Sequence, residues 1–487
     1  MENSNQVIDY SLIEGCLSKA PSFFILLSVV FSLFFSESLP VHYAIIVSLF
    51  ISTSAVLLLT RRVVKNFFPI LFIVIALSGL SSYYVLVKIN DTYSPSGEIS
   101  GECAVTYSHR WGNGCALMLD TEYGRAVAYI AQSKMIHDGS RVRFSGVFVN
   151  FSRAKNDGEF DEYNYWRARG AIKKIALYKL HVTAPPKGIG AWREKLGNAI
   201  YKRLLPLSAS YLAAFTVGRR DKGEEELHRK AGTSHLLAVS GLHINILTAM
   251  LLVFMPVNFL SLMIISVILW LYLLFAGMPV GGVRAAVMSE LLLISIVSGR
   301  ENCVLNTVSV AGVVMLLINP WNYYDLGWRM SVISAAFLAS VFSFRHYFSC
   351  AVKIVLFPVL LWFVNAPIVA KAFGEVPLAG LILNIFAVPL FSFIFPIILL
   401  FTLPAVFNIP GLRLLSLFPE FILSYFDSFL EKGAYLVPGI IMWNILLFAN
   451  AAFIFAAAAA MHCNAGVKRS FLAGLLSFCA AAFLAYL

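Results

Sequence analysis

Stretches of about 20 apolar residues, long enough to cross roughly 30 Å of hydrocarbon at 1.5 Å per residue, recur from residue 21 to the C-terminus. No other feature narrows the fold as much. A backbone in lipid must satisfy its own hydrogen bonds, so each such stretch is a helix packed against others. Only 13% of the residues are charged, against about 25% in soluble domains, which excludes a soluble enzyme. Spans are predicted near 21–36, 42–60, 67–89, 235–255, 257–276, 283–299, 303–319, 326–343, 350–366, 378–402, 413–430, 438–460 and 468–487, about thirteen in all.

Residues 90–185 break the pattern. Short alternating runs such as Arg141-Val142-Arg143-Phe144-Ser145-Gly146-Val147 predict strands of an inserted water-facing β domain. Four regions follow: membrane helices over 1–89, the β domain over 90–185, amphipathic or interfacial helices over 186–231, and a membrane domain over 232–487. In the interfacial region Trp192, Leu196, Ile200 and Leu204 recur every fourth residue, a face for the bilayer surface or for the β domain. With the N-terminus in the cytoplasm, the loops holding Arg61, Arg62 and Lys65, then Arg300, Arg345 with Lys353, Arg413, and Lys468 with Arg469 all fall inside, and the β domain faces outward. The apolar run at 23–35 follows an acidic rather than a basic segment, which favours a membrane hairpin over a signal peptide.

Of seven cysteines, Cys103 and Cys115 flank the turn-like Arg110-Trp111-Gly112-Asn113-Gly114 and could meet across a hairpin as a disulfide; the alternative is two buried thiols. No cysteine pair has zinc or redox spacing, no phosphate-binding loop occurs, and no paired histidines beside acids suggest a metal centre. No cofactor and no catalytic residue is expected. The net charge of +11 favours anionic partners without choosing between lipid headgroups, nucleic acid and smaller anions.

The most informative segment runs Gly232-Thr233-Ser234-His235-Leu236-Leu237-Ala238-Val239-Ser240-Gly241-Leu242-His243-Ile244. Polar groups at membrane depth face a cavity or one another. On one continuous helix His235, Ser240 and His243 share a side, while Gly241 permits a break that exposes backbone to a water-filled path. Packing by small residues with satisfied histidines is the alternative, and an intramembrane hydrolase with Ser240 as nucleophile and His243 as base is a third reading, for which no orienting acid lies nearby.

This segment resembles the "TSHLLAISGLH" string of the ComEC competence proteins. Other stretches are similar in the same order: Asn156-Asp157-Gly158-Glu159-Phe160-Asp161 through Tyr165-Trp166-Arg167-Ala168-Arg169-Gly170, Leu212 to Arg220, Gly282-Val283-Arg284-Ala285-Ala286-Val287-Met288, Asn319-Pro320 with Asp325-Leu326-Gly327, and Asn384 with Pro389. The chain departs from the family's Phe-Gln-Leu-Ser at Trp328-Arg329-Met330-Ser331, and no metallo-β-lactamase-like domain with an "HxHxDH" string is present. The resemblance implies a polytopic α-helical inner-membrane channel with an extracytoplasmic OB-fold-like barrel, carrying single-stranded DNA into the bacterial cytoplasm during transformation. It implies as partners single-stranded DNA, membrane lipid, a DNA receptor, a separate nuclease, a cytoplasmic ATPase or helicase, and a second copy of the chain. A transporter of another anion remains the alternative.

On this reading the pathway residues are His235, Ser240, Gly241, His243, Arg284, Arg329 and Asn384. Arg284 has no evident local partner, since Glu290 points elsewhere on a helix, and Asp325 with Arg329 forms an ion pair or a helix cap. In the β domain the candidate cations are Arg153, Lys155, Arg167, Arg169, Lys173 and Lys174, with Trp166, Trp111, Tyr107, Tyr123, Phe148 and Phe151 as candidate stacking rings. Pro358, Pro367, Pro389, Pro396 and Pro404 are expected to kink or interrupt their helices.

Overall fold

The computed structural model describes residues 97–462 apart from 113, 132–135, 156–158, 300–303, 343–348, 410 and 443–444, together with residues 22, 26, 29, 30, 33, 474, 475 and 477. The expected spans at 42–60 and 67–89, most of those at 21–36 and 468–487, and the cations Arg61, Arg62, Lys65, Arg300, Arg345, Lys468 and Arg469 lie outside the described residues.

In chain order the elements are β1 (Glu98–Trp111), β2 (Gly114–Thr121), β3 (Gly124–Ile130), β4 (Arg141–Val149), α1 (Glu162–Ala168), β5 (Lys173–Ala184), α2 (Gly188–Arg203), α3 (Pro206–Thr216), α4 (Lys222–Lys230), α5 (Gly241–Phe254), α6 (Phe259–Ala276), α7 (Val280–Val297), α8 (Val304–Ile318), α9 (Leu326–Phe342), α10 (Cys350–Phe373), β6 (Glu375–Pro377), α11 (Ala379–Val406), α12 (Leu417–Leu436), β7 (Ile440–Met442) and α13 (Ile445–His462). They fall into two compact units, Lys88–Val297 with Val376–Ile441, and Met1–Val87 with Ser298–Glu375 and Met442–Leu487.

In the first unit the strands close into a barrel in the order β1-β2-β3-β5-β4. All neighbours are antiparallel except β3 and β5, which pair in parallel over Ala126–Ala128 and Lys173–Ile175. Alternation fills the lumen with Cys103, Val105, Cys115, Leu117, Leu119, Val142, Phe144 and Ile175. The other face of β2 and β3 is also covered, because Ala116, Met118 and Val127 pack on Trp166 of α1. That double burial is why Gly114–Thr121 reads as a continuous apolar run rather than an alternating one. Asp161 starts α1 as its N-cap, accepting from the Asn164 amide at 2.7 Å.

Helix α2 joins barrel to bundle. Arg193 is ion-paired with Asp138 in the β3–β4 connection and donates to the Val217 carbonyl at 3.0 Å, His137 lies 3.5 Å from Glu194, and a Cβ on Gly190 would strike the Asp138 carbonyl oxygen. Ile200 is fully buried while Trp192 is 63% exposed, so packing on the barrel and bundle accounts for most of the four-residue stripe. The bundle core gathers Tyr211, Leu212 and Phe215 of α3, Leu383, Phe391 and Phe395 of α11, and Leu423, Phe426 and Leu430 of α12. Beside it α6 and α7 bury Leu269, Leu273, Ala285 and Leu293. Their close approach requires Gly282, whose Cβ would fall 2.6 Å from Leu273 Cδ2.

The second unit packs α9, α10 and α13 around Phe337, Val341 and Val364. There Asn365 donates to Ser334 Oγ at 2.8 Å, as a polar residue in an apolar helix is expected to do.

Four of the described helices are long and apolar enough to cross a membrane: α6, α7, Val352–Phe373 of α10, and α11; α5, α8 and Leu326–Val341 of α9 are apolar but shorter. The predicted span at 413–430 coincides with most of α12, which carries Glu420, Asp427, Glu431 and Lys432 and is not among those four. Of the two expected effects of the prolines, interruption does not occur. Pro358 and Pro367 lie inside α10, and Pro389, Pro396 and Pro404 inside α11, without ending either helix.

Candidate functional site

The segment 232–244 is not one helix. Ser234–Leu236 forms a single 3-10 turn, residues 237–240 are irregular, and α5 begins at Gly241 with Ser240 as N-cap. His243, at the third helical position, completes a capping box: its Nδ1 accepts from the Ser240 amide at 3.2 Å and lies 3.1 Å from the Ser240 hydroxyl. An unprotonated Nδ1 places the ring hydrogen on Nε2, an assignment that follows from the hydrogen-bond network. The ring is fully buried among Phe215, Phe391 and Phe395, with centroids 4.9, 5.7 and 4.6 Å away. His235 by contrast is exposed and sits on the 3-10 turn, outside the helix that carries His243. No carboxylate meets the far nitrogen of His243 among the described residues, so the geometry gives Ser240 a capping partner without an orienting acid.

Asn384 fastens the start of the same segment. Its amide donates to the carbonyls of Gly380 at 2.7 Å and Gly232 at 3.3 Å. Gly232 has φ +67°, and a Cβ there would come within 2.7 Å of Gly380 Cα, so conformation and space both demand glycine.

Both arginines expected on the pathway turn to backbone carbonyls. Arg284 is 2% exposed and reaches the Gly281 carbonyl at 3.5 Å, while Glu290 accepts from Trp270 Nε1 at 2.7 Å and from the Ser266 hydroxyl. Arg329 donates through Nε to the Tyr323 carbonyl at 2.6 Å and lies over the rings of Tyr323 and Tyr324. Asp325 caps α9 by accepting from the Trp328 amide at 2.9 Å, one of the two expected roles.

The barrel corrects two expectations. Cys103 and Cys115 are free thiols, because the tight turn after Trp111 sets Cys115 opposite Arg110 while Cys103 sits further along β1, opposite Val142 of β4. Burial, aided by Asp120 and Glu102, pushes the Cys103 thiol up to about 11. Trp166 cannot stack on a ligand: it is fully buried, its Nε1 donating to the Tyr129 hydroxyl at 2.7 Å. Lys174 is paired with the buried Glu162 at 2.9 Å. Burial opposes ionisation of Glu162, but hydrogen bonds from Ser152 and Lys174 outweigh it and hold the carboxyl below its ordinary 4.5.

What remains accessible forms a platform. Trp111 lies 5.1 Å from Phe160 and 5.5 Å from Tyr165, Arg169 stacks at 3.6 Å on Tyr165, and Arg153 at 4.2 Å on Tyr163. Arg153 and Lys155 are exposed, Lys173 is half-buried, and Arg167 is 3% exposed. Beside the platform opens a cavity of about 570 Å³ lined by Trp111, Tyr129, Ser152, Phe160, Glu162 and Lys174.

A family model described as "Competence protein" matches residues 216–467, just over half of the chain, and takes in the 232–244 segment whole. The chain belongs to the Competence protein family. It is 24% identical over 389 residues to "ComE operon protein 3" of Bacillus subtilis (strain 168), a match covering 73% of this chain and 48% of that protein, so the chain spans about half the length of the curated relative it matches. No solved structure matches.

Within this Competence family chain, Phe160, Tyr165 and Tyr129 are the site residues that sequence reasoning passed over. The signal was present: Phe160 and Tyr165 flank the start of α1 in the family-like stretch, on the side that Trp111 approaches across the turn from β1.

Proposed function

We propose that this membrane protein takes part in DNA uptake during natural transformation, as the inner-membrane channel that passes single-stranded DNA to the cytoplasm. The observation that carries the reading is the family match over 216–467, which includes the capped break at Ser240. The barrel supports it. Its strand order, with β3 parallel to β5 and β1 closing on β4, suits an OB-type fold, and a face of rings and cations beside a cavity suits a nucleic-acid strand. The barrel then lies outside the membrane with the N-terminus in the cytoplasm, and the partners are lipid, a receptor delivering DNA, a nuclease, and a cytoplasmic ATPase or helicase.

The geometry refines the path. His243 and Asn384 fasten helix ends, and Arg284 is buried, so contact with the strand falls first to Trp111, Phe160, Tyr165, Arg153 and Arg169 on the barrel. The test is uptake of marker DNA by cells of the native host with the gene deleted and then complemented. Deletion should abolish transformation, wild type should restore it, and Trp111→Ala should restore it only in part at equal membrane abundance. Full transformation without the gene in a competent host would sink the reading and favour transport of another anion.

A further inference from the structure

Between the barrel and the capped break, three metal-ligating side chains converge that neither the DNA path nor the helix caps use. Glu224 and His228 are four residues apart on α4 and share a face; Asp427 meets them from α12. One ligand atom of each lies within 4.8 Å of the others. A small closure brings such atoms to the separations of about 3–4 Å found around one ion with bonds of about 2.1 Å.

The surroundings orient these groups as outer residues orient metal ligands. Tyr211, fully buried on α3, places its hydroxyl 2.5 Å from Asp427 Oδ1 and 2.8 Å from His228 Nε2. Thr233, also fully buried, sets its hydroxyl 2.8 Å and its carbonyl 3.3 Å from His228 Nδ1. With the Tyr211 hydrogen given to Asp427, Nε2 donates to the Tyr211 oxygen in the metal-free site; moving the ring hydrogen to Nδ1, where the Thr233 carbonyl accepts it, would free Nε2 as the ligand atom. Glu224 Oε2 is buried with no hydrogen-bond partner among the described residues.

Charge points the same way. The neighbouring cations are turned to other acids, Arg220 to Glu225 at 3.4 Å, and Arg229 and Lys230 to Glu226 at 3.0 and 3.4 Å. Glu420 is committed to the amides of Leu207 and Ser208 at the start of α3. Glu224 and Asp427 meet across the two helices, a pair of acids that a bound cation would relieve.

We infer that Glu224, His228 and Asp427 form a binding site for one divalent first-row transition ion, Mn²⁺ or Zn²⁺, clamping α4 to α12. One imidazole and two carboxylates without a thiolate suit these ions. Because Thr233 lies in the 232–244 segment, the ion would also set the position of its start. Nothing in the sequence spacing announces the site, since the third ligand lies far along the chain on another helix.

The test uses the full-length protein in detergent, without a histidine tag and stripped with a chelator. It is titrated with Mn²⁺ followed by electron paramagnetic resonance and with Zn²⁺ followed by calorimetry. One ion per chain is expected, with affinity at least tenfold weaker in Glu224→Gln and in Asp427→Asn but unchanged in the surface variant Glu226→Gln. Thermal unfolding guards against misfolded variants: each should melt cooperatively without metal, and added metal should raise the midpoint of the wild type and of Glu226→Gln more than that of Glu224→Gln or Asp427→Asn. Absence of one-per-chain binding in the wild type, or equal binding by wild type and a folded Glu224→Gln, would overturn the inference. Its failure leaves the DNA-uptake reading untouched, since marker-DNA uptake tests that separately.

Discussion

The barrel and the helical bundle of the first unit use the same residue types for opposite purposes. In the barrel, Arg153 and Arg169 lie over tyrosine rings at a solvent-facing edge, and the aromatic cluster around Trp111 stays partly open. In the bundle, Phe215, Phe391 and Phe395 close over one histidine, and the side chains of His243, Asn384 and Glu420 are spent on backbone groups. Solvent explains the difference. Where water is present a cation can share itself between ring and solvent, whereas inside an apolar bundle an unsatisfied helix terminus is costly, so the few polar side chains go there first.

The sharpest way to break this contrast is Gly232→Ala. It adds a methyl group against the Gly380 backbone at a positive φ, and should destabilise the bundle by about 3 kcal/mol or more, seen as loss of monodisperse protein in detergent while the barrel strands keep their circular-dichroism signature. His243→Ala removes both the cap and a buried ring, for which a loss of about 2–4 kcal/mol is expected in thermal unfolding. His243→Gln, which can restore the capping box, should recover part of it; equal loss in both would show that ring packing rather than capping decides the site.

In the barrel, Glu162→Gln should cost about 1–3 kcal/mol by weakening the ties to Ser152 and Lys174. The sign with pH follows from a folded carboxyl held below 4.5: the contribution is complete above that value and disappears as pH falls through the folded one, and the variant should lack this acid-side dependence. Trp111→Ala should leave the melting temperature nearly unchanged and weaken single-stranded DNA binding by about 1–3 kcal/mol, the scale of one stacked base, in a fluorescence anisotropy titration. Unchanged affinity would move the contact off the platform.

Much of the bundle was legible because membrane helices announce themselves by length and apolarity, and α6, α7 and α11 lie close to where hydropathy places them. The break at Ser240 was legible only as a possibility. Gly241 permits it, but the decision rests on His243 reaching back to the Ser240 amide, a contact of i and i+3 that a helical projection also allows. The barrel was visible as alternation in β4 and hidden in β2, where α1 covers the outer face. The disulfide failed on register: a turn one or two residues longer or shorter changes which residue faces Cys115, and sequence spacing does not fix it. Trp166 failed because an exposed platform and a buried anchor have the same composition until a helix is placed over one of them.

The parallel junction of β3 with β5 runs only over Ala126–Ala128, whereas β4 with β5 and β1 with β2 are joined over much longer stretches. A ring of strands yields at its shortest seam. Amide hydrogen exchange should therefore begin there, at Ala126–Ala128 and Lys173–Ile175, while the long ladders stay protected. Since Lys174 lies on that seam and also lines the cavity under Trp111, the mouth of the cavity and the hinge of the barrel are one place, and a ligand held there would act as a staple across the joint.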